Sequence, residues 1–239
     1  SGTSMLGSKP LEIFETIDQG HALLIGVVFP GNIDFGSYAV KAGQFPGIVL
    51  AGSAFHGDVS FSNIKIPGKP GDLSVIGGWA DFTGATFHGT ANFRNTAFAE
   101  AYFRNAHFKN GVDFSYAKFG RFAHFNRAFF KNNVDFRNAH FFEGAIFDEV
   151  EFQNSETYFE RTEFETFANF SGAKFFGAAW FSGSGSYDEL NGSFRYINFS
   201  GAEFRGPADF SDRCFTKRTD FSKVTFHQAP KFFGSQLHQ

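Results

Sequence analysis

From Val112 to Phe152 the apolar positions keep a beat that is neither helical nor that of an ordinary strand. Phe114, Phe119, Phe125, Phe130, Phe136, Phe141, Phe147 and Phe152 follow one another at alternating steps of five and six, and two places before each stands Ala or Val. Amphipathic helices repeat at about 3.6 residues and half-buried strands at about 2. Here a small residue and a Phe two apart share one side of a short extended segment. The motif then restarts, so the chain turns a corner between segments. This pattern predicts an all-β solenoid with Phe and Ala both pointing inward, the kind of internal repeat that decides a whole fold.

The repeating unit carries more than its apolar pair. Ala91-Asn92-Phe93-Arg94-Asn95, Val112-Asp113-Phe114-Ser115-Tyr116, Val134-Asp135-Phe136-Arg137-Asn138 and Ala208-Asp209-Phe210-Ser211-Asp212 share a small residue, then Asp or Asn, then Phe. In this the chain resembles the pentapeptide-repeat family, from at least Ala80 to Phe232. The resemblance implies a right-handed, quadrilateral parallel β-helix in which each unit forms one side. The alternation of five and six departs from the plain family pattern and sets a four-sided coil of 22 residues. Phe114 should then stack on Phe136, near Phe159 and then on Phe181, and Phe119 on Phe141 and then Phe164. The extra residues are expected at two opposite corners, where Lys109-Asn110-Gly111, Lys131-Asn132-Asn133 and Phe142-Glu143-Gly144 supply the Asn and Gly that corners favour. Coils should lie about 4.8 Å apart.

Along the chain, Ser1 to Ser8 reads as an expression-tag remnant. Residues 9–22 suit a short N-terminal capping helix, with Pro10 near its start and Gly20 as its stop. The β-helix extends over 23–233, with loops at 67–72 and 182–191, and 234–239 reads as a polar tail. The second loop, with Gly183, Gly185 and Tyr187, is too polar for a solenoid side, and excursions of this kind often mark a binding face.

Composition adds little that the pattern has not fixed. Thirty-nine Phe in 239 residues would be odd in a globular domain but suit stacked columns, each burial contributing roughly 1.5–3 kcal/mol before entropy. The single cysteine, Cys214, excludes an internal disulfide and permits a reducing compartment, with the cytoplasm favoured. No apolar run approaches membrane-spanning length. The net charge of −3 is sorted along the axis: residues 94–131 carry +5 and residues 143–165 carry −7. Such blocks suit either a solvated face or the steering of a charged partner.

The sequence holds no phosphate loop, dinucleotide fingerprint, nucleophile elbow or zinc motif, so no enzyme, cofactor or metal is expected. His107, His124 and His140 precede core Phe residues and are expected to point outward into solvent. Arg213 occupies an inward position and is expected to escape past a corner, because an unpaired buried guanidinium is costly. Phe122, Phe129, Phe142, Phe167, Phe176, Tyr158 and Trp180 fall off the inward positions. Phe122 and Phe167 occupy equivalent corners two coils apart, with Gly144 between. They suit either an exposed protein-binding cluster or rings folded over a roomy corner.

The expected function is a non-enzymatic, bacterial, protein-binding scaffold. Its candidate contacts are Phe122, Phe142, Phe167, Glu149, Glu151, Glu160, Glu163 and Tyr187, with Phe232 and Phe233 as a homodimer contact on the C-terminal coil. The family resemblance supports that dimer. It also implies an alternative, a DNA mimic that binds gyrase or topoisomerase and protects it from inhibitors, which a +5 block fits poorly. Direct nucleic-acid binding and a membrane span are not expected.

Overall fold

The computed structural model describes residues 23–36, 47–64, 79–153, 155–183, 193–194, 196–215 and 218–237. The chain visits four faces in a fixed order. In one coil Phe122–His124 lies on face one, Phe129–Phe130 on face two, Val134–Asp135 on face three and His140–Phe141 on face four. The next coil starts at Gly144–Ile146, paired in parallel directly over Phe122–His124. Repetition builds a seven-stranded ladder on face one, nine strands on face two and eight on face three, while face four is made of a four-stranded and a three-stranded ladder. The result is an all-β parallel solenoid of the right-handed type.

The core is a set of Phe columns. Phe114, Phe136, Phe159 and Phe181 stack at 4.8 Å with nearly parallel rings, and Phe119, Phe141 and Phe164 do so at 4.5 and 5.0 Å. Columns on faces one and three meet edge-to-face across the middle, as in Phe125 against Phe136 at 5.4 Å and 90°. Offset stacks along the axis and edges across it are the two arrangements that aromatic quadrupoles favour. The small inward residue leaves room for the rings: Ala117, Ala123, Ala128 and Ala139 are as fully buried as the Phe beside them.

The five-residue corners, between faces one and two and between three and four, are tight turns. Thr96 N–H donates to Phe93 O and Ala117 N–H to Phe114 O. The third residue of each turn takes a positive φ, for example Asn95 at 54° and Gly84 at 67°, as a type II turn demands. Asn110, Gly111, Asn132, Asn133 and Gly144 sit at the six-residue corners, and none has a positive φ. Asn110 and Asn132 act there through their side chains, which accept from Gly111 N–H and donate to Lys109 O.

Where Asp or Asn precedes the Phe on faces one and three, it has a specific task. Its side-chain oxygen accepts the N–H two residues on: Asn92 from Arg94, Asp113 from Ser115, Asp135 from Arg137, Asn169 from Ser171, Asp209 from Ser211. This holds the turn from its outer side.

Arg213 does not escape past a corner. It is 2% exposed and stands at the inward small position of face four, where Thr96, Thr162 and Ser235 stand in other coils. Their hydroxyls donate to the carbonyls of Phe61, Phe136 and Phe210 in the preceding coil. Arg213 Nε donates to the equivalent oxygen, Phe181 O, and its Nη atoms reach one coil further, to Thr162 O and Phe159 O at 2.9 Å. Main-chain carbonyls thus solvate the guanidinium that the interior would otherwise exclude.

The expected capping helix at 9–22 and the loop at 67–72 lie outside the described residues, and no complete helix is present among those that are described. Of the 182–191 segment only Ser182 and Gly183 are described. At the other end Gln236–Leu237 pairs with Cys214–Phe215, so the last rung reaches into the segment read as a tail.

Candidate functional site

Two surface features stand out, on the two corners that flank face four. The first is aromatic. At the six-residue corner leading into face one, Phe122, Gly144 and Phe167 occupy one register position in successive coils. The rings of Phe122 and Phe167 meet over the glycine at 6.0 Å, and Phe167 continues to Tyr196 at 6.5 Å. A Cβ on Gly144 would stand 2.5 Å from Phe167 Cε1 and 3.1 Å from Phe122 Cδ1, so the missing side chain is what lets the rings close. Phe122 is 36% exposed and Tyr196 41%. Phe142 turns away from this pair and stacks on His140 at 3.8 Å.

The histidines expected in solvent are partly packed. His140 also contacts Glu163 at 3.3 Å and Glu165 at 2.6 Å. The His124 ring lies parallel on Tyr102 at 4.8 Å, with Arg104 Nη2 2.9 Å from its Nδ1. Because a guanidinium can only donate, Nδ1 must be the acceptor, which requires the neutral ring. Burial, then the Arg104 charge, lowers the His124 pKa. His107 is exposed and edges towards Phe129 at 5.7 Å.

The four candidate carboxylates are spread around the circumference. Glu149 sits at the corner between faces one and two and bonds Arg127 at 2.6 Å; Glu151 on face two bonds Lys174 at 2.9 Å. Glu163 lies on face four with His140, and Glu160 at the corner between faces three and four. Because one coil takes 22 residues, the basic stretch stacks beneath the acidic one, and ion pairs form across the coil boundary. Tyr187 lies outside the described residues. Phe232 stacks on Phe210 at 5.2 Å and is 41% exposed, while Phe233 is 84% exposed.

The second feature was not visible as a pattern in the sequence. Turns of the third-to-fourth-face corner line a polar groove with a cavity of about 490 Å³, which includes Arg94, Tyr116, Arg137, Glu160 and Arg161. Arg137 makes a two-pronged bond to Asp135 and lies over the Tyr158 ring at 4.8 Å. Arg94 does the same over Tyr116 at 4.7 Å and donates to Ser115 Oγ. The signal available in the sequence was the 22-residue spacing, which superposes these turn residues once the corner is known.

Among the described residues no group of three His, Cys, Asp or Glu is placed to hold a metal ion, and no helix is long and apolar enough to cross a membrane. The four-faced ladder, with Phe at most inward turns, defines a β-solenoid scaffold built from short repeats. Residues 75–118 match the family model for pentapeptide repeats, in nine copies. That stretch is built of pentapeptide repeats, and the same ladder continues past it to Thr225–Phe226 on face two. A comparison with curated proteins finds no match.

Proposed function

We propose that this solenoid is a non-enzymatic scaffold that binds another protein through the aromatic strip of Phe122, Phe167 and Tyr196. The observation that carries the reading is the closure of the exposed Phe122 ring and the half-buried Phe167 ring over Gly144. Aromatic rings on a rigid ladder give a large contact area with little ordering cost, the composition that interface centres favour. The Glu163–His140 pair, with Phe142 stacked on His140, gives the same corner a polar border, in the way interface rims are built.

The test compares wild type with a Phe122→Ser/Phe167→Ser variant in affinity capture from native lysate, followed by binding of the captured protein in purified form. Loss of that binding with the melting temperature nearly unchanged supports the strip. Unchanged binding with a large loss of stability would mean that the rings are core. Gly144→Val gives a second reading, since its side chain forces the rings apart without removing them.

The last coil offers a second copy of this chain an apolar floor of Phe232 and Phe233, and we propose it as the homodimer contact. The DNA-mimic alternative, together with contact through Glu149 and Glu151, calls for unpaired acidic charge in a uniform array, whereas these carboxylates are each joined to a cation. Gyrase supercoiling, unaffected by added protein, would retire it.

A further inference from the structure

The polar groove at the third-to-fourth-face corner lies on the opposite side of face four from the aromatic strip. It runs along the rod over five successive turns, from Arg94 to Gly183. At about 4.8 Å per coil it is roughly 19 Å long, the span of about six residues of extended chain.

Most of its charge is internally satisfied, and two groups are not. Arg137 is committed to Asp135, and Arg94 to Ser115 and the Tyr116 face. The Arg161 side chain is exposed and makes no hydrogen bond or ion pair among the described residues, although its backbone is held at a φ of 54°. Beside it, Glu160 Oε2 is buried without a hydrogen-bond partner. Outside the lining, Trp180, paired in register with Tyr158, has a buried Nε1–H that also lacks a partner. Buried polar atoms without partners are rare and each costs free energy. Burial raises the Glu160 pKa, against the opposing charges of Arg137 and Arg161.

We propose that this groove binds an extended, acidic segment of a partner polypeptide, with a carboxylate on Arg161 and main-chain N–H groups on Glu160. Three guanidiniums against two carboxylates leave the lining net positive on a chain whose charge is −3. That favours an acidic ligand. The Asp135 and Glu160 carboxylates disfavour a phosphate backbone, whereas an extended peptide also carries main-chain N–H groups that suit Glu160.

Selection of short random peptides displayed on phage against the whole protein tests this, with Arg161→Glu as counter-selection. The expected result is enrichment of peptides with Asp or Glu whose binding, measured by fluorescence polarisation, weakens about tenfold or more in Arg161→Glu, as loss of a charge-assisted contact predicts. Arg161→Asn, a residue at ease with positive φ, should weaken it similarly and keeps the fold secure. Glu160→Gln should weaken it as well. The Phe122→Ser/Phe167→Ser variant should bind these peptides normally, which separates this groove from the aromatic strip. No enrichment of acidic peptides, or equal binding by wild type and both Arg161 variants, overturns the proposal.

Discussion

At the residue scale the backbone turns and one histidine carry the clearest consequences. Gly84 has a φ of 67°, and an added Cβ would meet nothing within 4 Å. Substitution there therefore isolates the backbone cost of the left-handed conformation. Gly84→Ala should destabilise by about 1 kcal/mol and Gly84→Asn by clearly less, read from urea midpoints at constant slope. The same conformation falls on Tyr116, Arg127, Glu149 and Arg161 elsewhere, residues that no local preference would place there. Stacking of each turn on its neighbours overrides the preference.

His124 gives the fold a pH dependence. Its folded pKa lies below the unfolded value of about 6.5. The neutral ring therefore contributes stability that is fully present above pH of about 6.5 and is lost as pH falls through the folded value. His88, lowered chiefly by its burial and by Lys109, acts in the same direction. Melting temperature should fall as the pH drops from neutral to about 5, in the window below those unfolded values, and His124→Gln should flatten that slope. An unchanged slope would mean that Arg104 does not hold the ring neutral.

At the scale of the element, the rung is the unit, and its inward positions form a graded series. Ala fills most of them. Thr96, Thr162 and Ser235 fill others by donating to a Phe carbonyl of the coil before. Arg213 extends the series across two coils, next to the point where the chain leaves face three at Gly183; a Cβ on Gly183 would lie 3.4 Å from Arg213 Cδ. Burial draws the guanidinium pKa down to about 9, so it stays a cation at neutral pH. Arg213→Ala would empty a side-chain volume and leave three carbonyls without this donor. Its cost should be at least about 3 kcal/mol, with amide exchange rising first in the strand Glu163–Phe164. A loss below about 1 kcal/mol would mean that water replaces the side chain without penalty.

At the scale of the whole molecule, stability is a sum over neighbouring coils, and the terminal rung is where that sum is incomplete. Phe221 and Phe226 are half-buried where their counterparts inside the rod are fully buried, and Phe232 is more exposed still. A second copy stacked on this floor would supply the missing neighbour. Light scattering should give the mass of a dimer for wild type and of a monomer for Phe232→Ser/Phe233→Ser. A wild-type monomer sinks the dimer.

The sequence by itself determined the ladder. A Phe at steps of five and six with a small residue two places earlier permits one economical burial, so the coil length, the stacking partners and the inward side of each rung could be read directly. It also marked Phe122, Gly144 and Phe167 as one column, because equal spacing puts them at one corner. What it could not determine depends on which atoms meet between coils. The left-handed residues fall at the five-residue corners because the tighter step needs them there, while the Asn residues of the six-residue corners serve through side-chain bonds. Arg213 looked expensive inward because its carbonyl partners lie as many as 54 residues away. The charge blocks, separate along the chain, became neighbours once the coil stacked them, and the groove at Glu160 and Arg161 exists only where five turns lie side by side. Periodicity encodes which way a side chain points; only the closed tertiary structure sets what it meets there.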